Sequence, residues 1–434
     1  MENHKNTWIE NFAPFLSDVG KSRKQSALRS YSKILLQLQD SQLINMGPGY
    51  PDKQLWPIEG ITFHLRGEEP IVLDSVATGE ALQYGESRGT RRLRHHLRAL
   101  MIKLFNPPGL TPSGDGERDV IVMAGGQDAL NKLFEMTLNP GEDVVIIEEV
   151  SYPGALNQLA VLRTELIHAP VDKDGLLPEK LRELLQKRRD NGEKMPKIMY
   201  LNPTGQNPLG YIMPVTRMQQ IYQVARDYKF LIIVDDPYYW LNVKDGRKFR
   251  KSMISLDTDG RVLRVDSFSK VMSPGFRVSF VTAPRIFVDK LEYHNMLTVQ
   301  SANGVAQMFL VKLFDRWSVD GFLDFATRLK EKYQEKRENC VQAANKWLKD
   351  VAEWDAPAGG MFMWLKLKGV TDNRKLLVDF LREHKVILVP GGMCMDEDNP
   401  ASPYVRVSYS TCQPEQFNAA FRLLAEFIKE YKKI

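Results

Sequence analysis

Short, mostly apolar runs recur through the middle of the chain, each followed by a polar cluster and then a helix-like pattern. They stand at 120–124, 144–147, 198–201, 230–234, 262–265 and 278–281. Runs of this length without polar alternation suit strands buried on both faces. Their alternation with helical patterns predicts an α/β core, a mostly parallel sheet covered by helices. Helix-forming residues at 316–350 would carry the chain out of this core. Short strands follow at 361–367, 386–389 and 405–409. A last helix starts near Pro414, with Phe417, Phe421, Leu424 and Ile428 on its apolar face. Residues 1–45 read as a polar arm with one helix from near Ser26 to Gln39, and 46–56 as an irregular Gly/Pro-rich stretch. The charged run at 328–337 reads as a solvated helix face.

The polar clusters carry chemistry. After 262–265 come Asp266, Ser267, Phe268, Ser269 and Lys270, with Arg277 seven residues on. A lysine desolvated at a strand end can lose its proton and add to a carbonyl cofactor. Serine hydroxyls and a guanidinium bind phosphate. Together they suggest pyridoxal 5'-phosphate; a flexible Ser/Lys loop is the plain alternative. The run at 230–234 ends in Asp235, Asp236, Pro237, Tyr238 and Tyr239. A buried carboxylate keeps a pyridine nitrogen protonated, which makes the ring an electron sink. Asp235 stands at the strand end, and Tyr238 can reach the ring's phenolic oxygen. A double-Asp turn capping the strand is the alternative. An asparagine amide in the loop 202–210, where both Asn202 and Asn207 stand, can donate to the same oxygen. The run at 120–124 enters Gly125, Gly126 and Gln127, then a helical pattern through Ala129, Leu130, Leu133 and Phe134. Strand, glycine turn and helix N-terminus form a ready anion site.

In this order, Gly125-Gly126-Gln127, Ser151-Tyr152-Pro153-Gly154, Gln206-Asn207-Pro208-Leu209-Gly210, Asp235-Asp236-Pro237-Tyr238-Tyr239, Ser267-Phe268-Ser269-Lys270 and Arg277 resemble a fold-type-I pyridoxal-phosphate aminotransferase of class I/II. Ala81-Leu82-Gln83-Tyr84, Phe105-Asn106-Pro107-Pro108, Gly360-Met361-Phe362-Met363-Trp364 and Ser402-Pro403-Tyr404-Val405-Arg406 are similar to the kynurenine/2-aminoadipate subgroup, with the fungal aromatic aminotransferases next. The resemblance runs from about Arg29 to the end. It implies a large cofactor-binding domain at 61–315 with a mostly parallel seven-stranded sheet. It also implies a smaller α+β domain at 316–434, joined by an N-terminal arm and segment at 1–60.

The same resemblance implies roles. Lys270 binds the cofactor's aldehyde, and Asp235, three residues before Tyr238, faces the ring nitrogen in preference to Asp236. Tyr238 and Asn207 face the phenolic oxygen. Asn207 is chosen over Asn202 because in the subgroup the tetrad follows a proline and a Gln/Asn, an order that Pro203, Gln206 and Asn207 reproduce. Tyr152 stacks on the ring. Ser267, Ser269, Arg277, Gly126 and Gln127 hold the phosphate. Many relatives have a small hydroxyl residue where Gly126 stands, so one side-chain contact is missing, and Gly126 is expected in a conformation easiest for glycine. Tyr84 reaches the neighbouring subunit's cofactor, which implies a homodimer with shared active sites. Arg406 grips the substrate α-carboxylate, Gly49 contacts it through its backbone and Arg29 meets the substrate side chain, unless Arg29 is merely solvated. The implied reaction moves the amino group of an aromatic amino acid, kynurenine or 2-aminoadipate to a 2-oxo acid such as 2-oxoglutarate, in ping-pong order. The alternatives are a lyase or synthase on the same fold, and a cofactor-binding regulator. The latter needs a DNA-binding module for which residues 1–45 are too few.

Composition narrows this further. At 434 residues the chain suits one large and one small domain. A net charge of +5 without a basic stripe does not imply nucleic acid. No apolar run nears the ~18 residues of a membrane span. Cys340, Cys394 and Cys412 are odd in number and widely spaced, which fits a reducing compartment without disulfides or zinc. His95 and His96 lack metal-ligand spacing. Glu2, Glu10 and Asp18 make a poor transit peptide, so the cytoplasm is expected, although the subgroup includes organellar members.

Overall fold

The computed structural model describes residues 8–25, 49–242, 249–395 and 398–431. The helix expected from near Ser26 to Gln39, and Arg29 with it, lie outside the described residues.

The apolar runs form strands β1 (Arg118–Met123), β2 (Val144–Glu148), β4 (Ile198–Leu201), β5 (Leu231–Asp235), β6 (Val262–Ser267) and β7 (Ser279–Pro284), all fully buried. A seventh, β3 (Glu165–Ala169), has a half-exposed pattern, and its polar Glu165 and His168 hid it from a search for continuous apolar runs. The sheet order is β1–β7–β6–β5–β4–β2–β3. β2 is parallel to β3 and β4, and β4 to β5; β7 is antiparallel to β6 and β1.

Packing divides the chain into two compact units. One holds the residues up to Thr137 together with Thr258–Phe322; the other holds Leu138–Asp257 with Leu323 onward. In the first unit, α1 (Gly126–Thr137) follows β1 and buries Ala129, Leu130, Leu133 and Phe134. In the second, α2 (Pro153–Val161) follows β2. The long helix α3 (Gly304–Trp347) is interrupted at Ser318, whose φ of 57° and ψ of −178° are not helical. The second unit also has a four-stranded antiparallel sheet of β8 (Ala352–Glu353), β9 (Phe362–Leu367), β10 (Val389–Pro390) and β11 (Tyr404–Ser408), ordered β8–β9–β11–β10. Helix α4 (Pro414–Tyr431) lays Phe417, Phe421, Leu424 and Ile428 on its core beside Met363, Leu365 and Phe380.

Two expectations change. The strand expected at 386–389 pairs only at Val389 and Pro390. Val386 and Leu388 pack on the core while Ile387 is exposed, so the segment alternates like a strand without a ladder. The run at 328–337 is not wholly solvated. Lys330 is buried with its ammonium 5.2 Å from the centre of the Phe249 ring, and Arg337 donates to the Pro357 carbonyl. Among the described residues no helix is long and apolar enough to cross a membrane.

Candidate active site

In the first unit β1 and β6 run the same way, since both are antiparallel to β7, so their C-terminal ends share one edge. β1 leaves through Ala124 and Gly125 into the N-terminus of α1. Gly125 has φ +100°, and a Cβ there would lie 2.2 Å from an Arg277 guanidinium nitrogen. Gly125, not Gly126, is therefore the position that requires glycine. A Cβ on Gly126 would meet only the Ser267 Cβ, at an ordinary 3.9 Å, so that residue could carry a side chain. The turn is pinned because Ala124 N–H donates to Asp128 Oδ2 at 3.1 Å, and buried Lys132 pairs with Asp128 Oδ1 at 2.8 Å.

β6 ends at Ser267, whose Oγ accepts the Ser269 N–H at 3.1 Å, and half-buried Lys270 follows. Arg277 is exposed, and its Nη1 donates to the Pro274 carbonyl at 3.1 Å. Helix-terminal N–H groups including those of Gly126 and Gln127, a serine hydroxyl and a guanidinium thus surround one glycine turn. That donor set fits a phosphate. Tyr84 is 51% exposed, with its ring centre 6.2 Å from that of Tyr50, and Gly49 is exposed.

The second unit holds a different cluster. Tyr152 precedes α2, whose first position is Pro153. A Cβ on Gly154 would lie 2.5 Å from the Tyr152 hydroxyl oxygen, so only glycine lets that ring lie over the helix start. Asp235 ends β5, buried, and accepts the Tyr200 hydroxyl at 2.9 Å through Oδ2. Burial first, then the Asp235 charge, push the Tyr200 hydroxyl well above its ordinary range, so it stays a donor to that carboxylate. Tyr238 is raised by burial and by Asp235, against the opposing pull of Arg406 and Asn207. Its ring meets Phe362 edge-on, 5.8 Å between centres.

Asn207 joins these groups. Its Nδ2 donates to the Tyr238 hydroxyl at 3.3 Å, and its Oδ1 accepts from Arg406 Nη1 at 2.9 Å. Arg406 lies over the Phe362 ring, 4.6 Å from its centre. Asn202 instead turns inward: its Nδ2 donates to the Asp235 carbonyl at 2.5 Å and its Oδ1 accepts the Asn207 N–H at 2.8 Å. Leucine at 209 does not loosen this loop. Leu209 packs against Val150, Trp364 and Cys394, and its N–H donates to Gln206 Oε1 at 2.7 Å. Gln206 Nε2 in turn donates to the Val150 carbonyl at 2.7 Å. Gly205 and Gly360 touch backbone to backbone, since a Cβ on Gly360 would lie 2.4 Å from the Gly205 oxygen. Tyr200, Phe362 and the inward role of Asn202 were not found from the sequence. A tyrosine in an otherwise apolar strand was the signal available for the first.

Residues 68–424 match the family model for class I and II aminotransferases. The chain belongs to the class I and II aminotransferases. This aminotransferase is 36% identical to the mitochondrial kynurenine/alpha-aminoadipate aminotransferase of Mus musculus, over 97% of the chain and 99% of that protein. It is 29% identical to an aromatic amino acid aminotransferase of Dictyostelium discoideum, over 91% of the chain and 84% of that protein. Its fold matches an aminotransferase from Candida albicans with a TM-score of 0.86 at 23% identity, over 98% of this chain and all of that one. The aminotransferase is a pyridoxal-phosphate enzyme, which sets this reading above the lyase and the regulator. Each cluster by itself fits a part of that cofactor: the glycine turn its phosphate, and Asp235 with Tyr238 a protonated nitrogen heterocycle bearing a phenolic oxygen.

Proposed function

We propose that the enzyme transfers the amino group of an aromatic amino acid, kynurenine or 2-aminoadipate to a 2-oxo acid such as 2-oxoglutarate. The observation that carries this reading is Asn207, which bridges Tyr238 and Arg406. One amide thereby ties a group for the cofactor's phenolic oxygen to the guanidinium that pairs with a substrate carboxylate. The names of the mouse and Dictyostelium relatives support the donor classes.

Bound pyridoxal phosphate supplies an electron sink for the bond that ionises at the substrate's Cα. The chain's residues do the rest. Gly126, Gln127, Ser267, Ser269 and Arg277 hold the phosphate, and Tyr152 covers the ring. Asp235, oriented by the Tyr200 hydroxyl, keeps the ring nitrogen protonated. Lys270 would hold the cofactor through its aldehyde carbon, and its amine, when free, would move the substrate's Cα proton as a base and then as an acid. Arg406, stacked on Phe362, fixes the substrate carboxylate, and the Gly49 backbone is assigned to the same group. The donor leaves as its 2-oxo acid, and a second 2-oxo acid collects the amino group, which makes the sequence ping-pong. In this reading residues 61–315 carry the cofactor and 316–434 the carboxylate contact.

The enzyme is also read as a homodimer in which Tyr84 completes the partner subunit's site. The exposed ring of Tyr84, 51% accessible, supports this reading. Unpaired cysteines support a reducing compartment such as the cytoplasm.

A panel of amino acids assayed with 2-oxoglutarate tests the assignment. Aromatic amino acids, kynurenine or 2-aminoadipate are expected to lead it, and Lys270→Ala to retain cofactor yet turn over none of them. Normal turnover by that variant would sink the role of Lys270.

A further inference from the structure

Asn202 is fully buried at the end of β4, and each arm of its side chain is occupied by the backbone of a different site residue. Its Nδ2 donates to the Asp235 carbonyl at 2.5 Å, and its Oδ1 accepts the Asn207 N–H at 2.8 Å. Its own N–H donates at 3.3 Å to the Glu148 carboxyl, which ends β2 and is itself fully buried. Both strands are parallel neighbours, so the three-way junction sits on sheet edges already fixed by ladder hydrogen bonds. A side-chain amide is the smallest group offering one donor and one acceptor in a plane. Here that plane spans two segments 28 residues apart, 207 and 235.

We propose that Asn202, anchored by Glu148, is the positioning residue that sets the spacing between Asp235 and Asn207. It touches neither cofactor nor substrate; it acts on the two residues that do. The inference rests on the assignment of Asp235 and Asn207 to the cofactor. Removing the amide leaves the Asp235 carbonyl and the Asn207 N–H buried without this partner, and the loop 205–210 then relaxes away from β5. Because Asn207 also fixes Arg406, the error reaches the substrate carboxylate.

The test uses the full chain with Asn202→Ala and the isosteric Asn202→Asp, beside Asn207→Ala. In the cofactor-stripped protein, amide hydrogen exchange at residues 205–210 is expected to rise about fivefold to tenfold in Asn202→Ala, the factor one hydrogen bond is worth. Strands β2, β4 and β5 should keep their protection. Asn202→Asp retains an acceptor for Asn207 and should keep the loop protected. In the loaded enzyme both variants should shift the visible band in the direction seen for Asn207→Ala and lower kcat. KM should rise in the Ala variant alone. Wild-type exchange, spectrum and kinetics in Asn202→Ala would overturn the proposal. If that variant does not fold, a wild-type spectrum and kcat in Asn202→Asp would overturn it. A wild-type enzyme without a visible band or amino transfer would sink the aminotransferase reading instead, while exchange in the stripped chain still decides the role of Asn202.

Discussion

At Glu148 a strand of apolar residues ends in a carboxyl removed from water. Burial pushes that carboxyl up to about 8, against the opposing Asn202 N–H. The folded chain therefore keeps a proton that the unfolded chain releases near ~4.3. The resulting stability is complete below that value and is lost as pH rises through about 8. His294 acts with the opposite sign. Burial, then Arg23 and Lys132, hold it down to about 3, so stability falls as pH drops below the ordinary ~6.5 of a free imidazole. Below ~6.5 the two slopes oppose, and above it Glu148 acts alone. Denaturant melts of the stripped enzyme are expected to lose up to about 2 kcal/mol between roughly pH 6.5 and 8. Glu148→Gln should flatten that limb, and an unchanged slope would place the proton elsewhere. The grouping of Asp235 with Tyr238 was legible because the two stand three residues apart. Asn202 was not, because its partners stand at 148, 207 and 235 and only the sheet brings them together.

Among elements, the β1–turn–α1 unit was readable in full, since an apolar run, two glycines and a helical stripe are all local signals. Which glycine bears the constraint was not readable, because it depends on Arg277 some 150 residues on. Gly125→Ala should cost about 1–2 kcal/mol from its left-handed backbone alone, with a further loss from the displaced guanidinium. Its Tm should fall by several degrees and its affinity for pyridoxal phosphate with it. Gly126→Ala should leave Tm within about a degree, because alanine suits a helix better than glycine and meets only Ser267. A reversal of these two results would mean that the turn is placed one residue out. β3 escaped notice for the converse reason: an edge strand needs fewer apolar residues than pattern-reading looks for.

For the whole molecule, the proposed shared site makes activity a property of pairs. A mixture of Tyr84→Ala and Lys270→Ala subunits should recover turnover that neither variant has alone, since one interface then holds an intact set. Gel filtration should return a dimer, and a fully active monomer would remove Tyr84 from the site.

The Gly205–Gly360 contact has a mechanical consequence within the second unit. Main chain rests on main chain there, with no side chain between to rotate or compress. The segment that carries Asn207 and the one that leads into β9 with Phe362 therefore mesh without backlash. A displacement of one drives the other in step, so the Asn207 amide that holds Arg406 and the Phe362 ring beneath that guanidinium drift together, and the gap between them is kept.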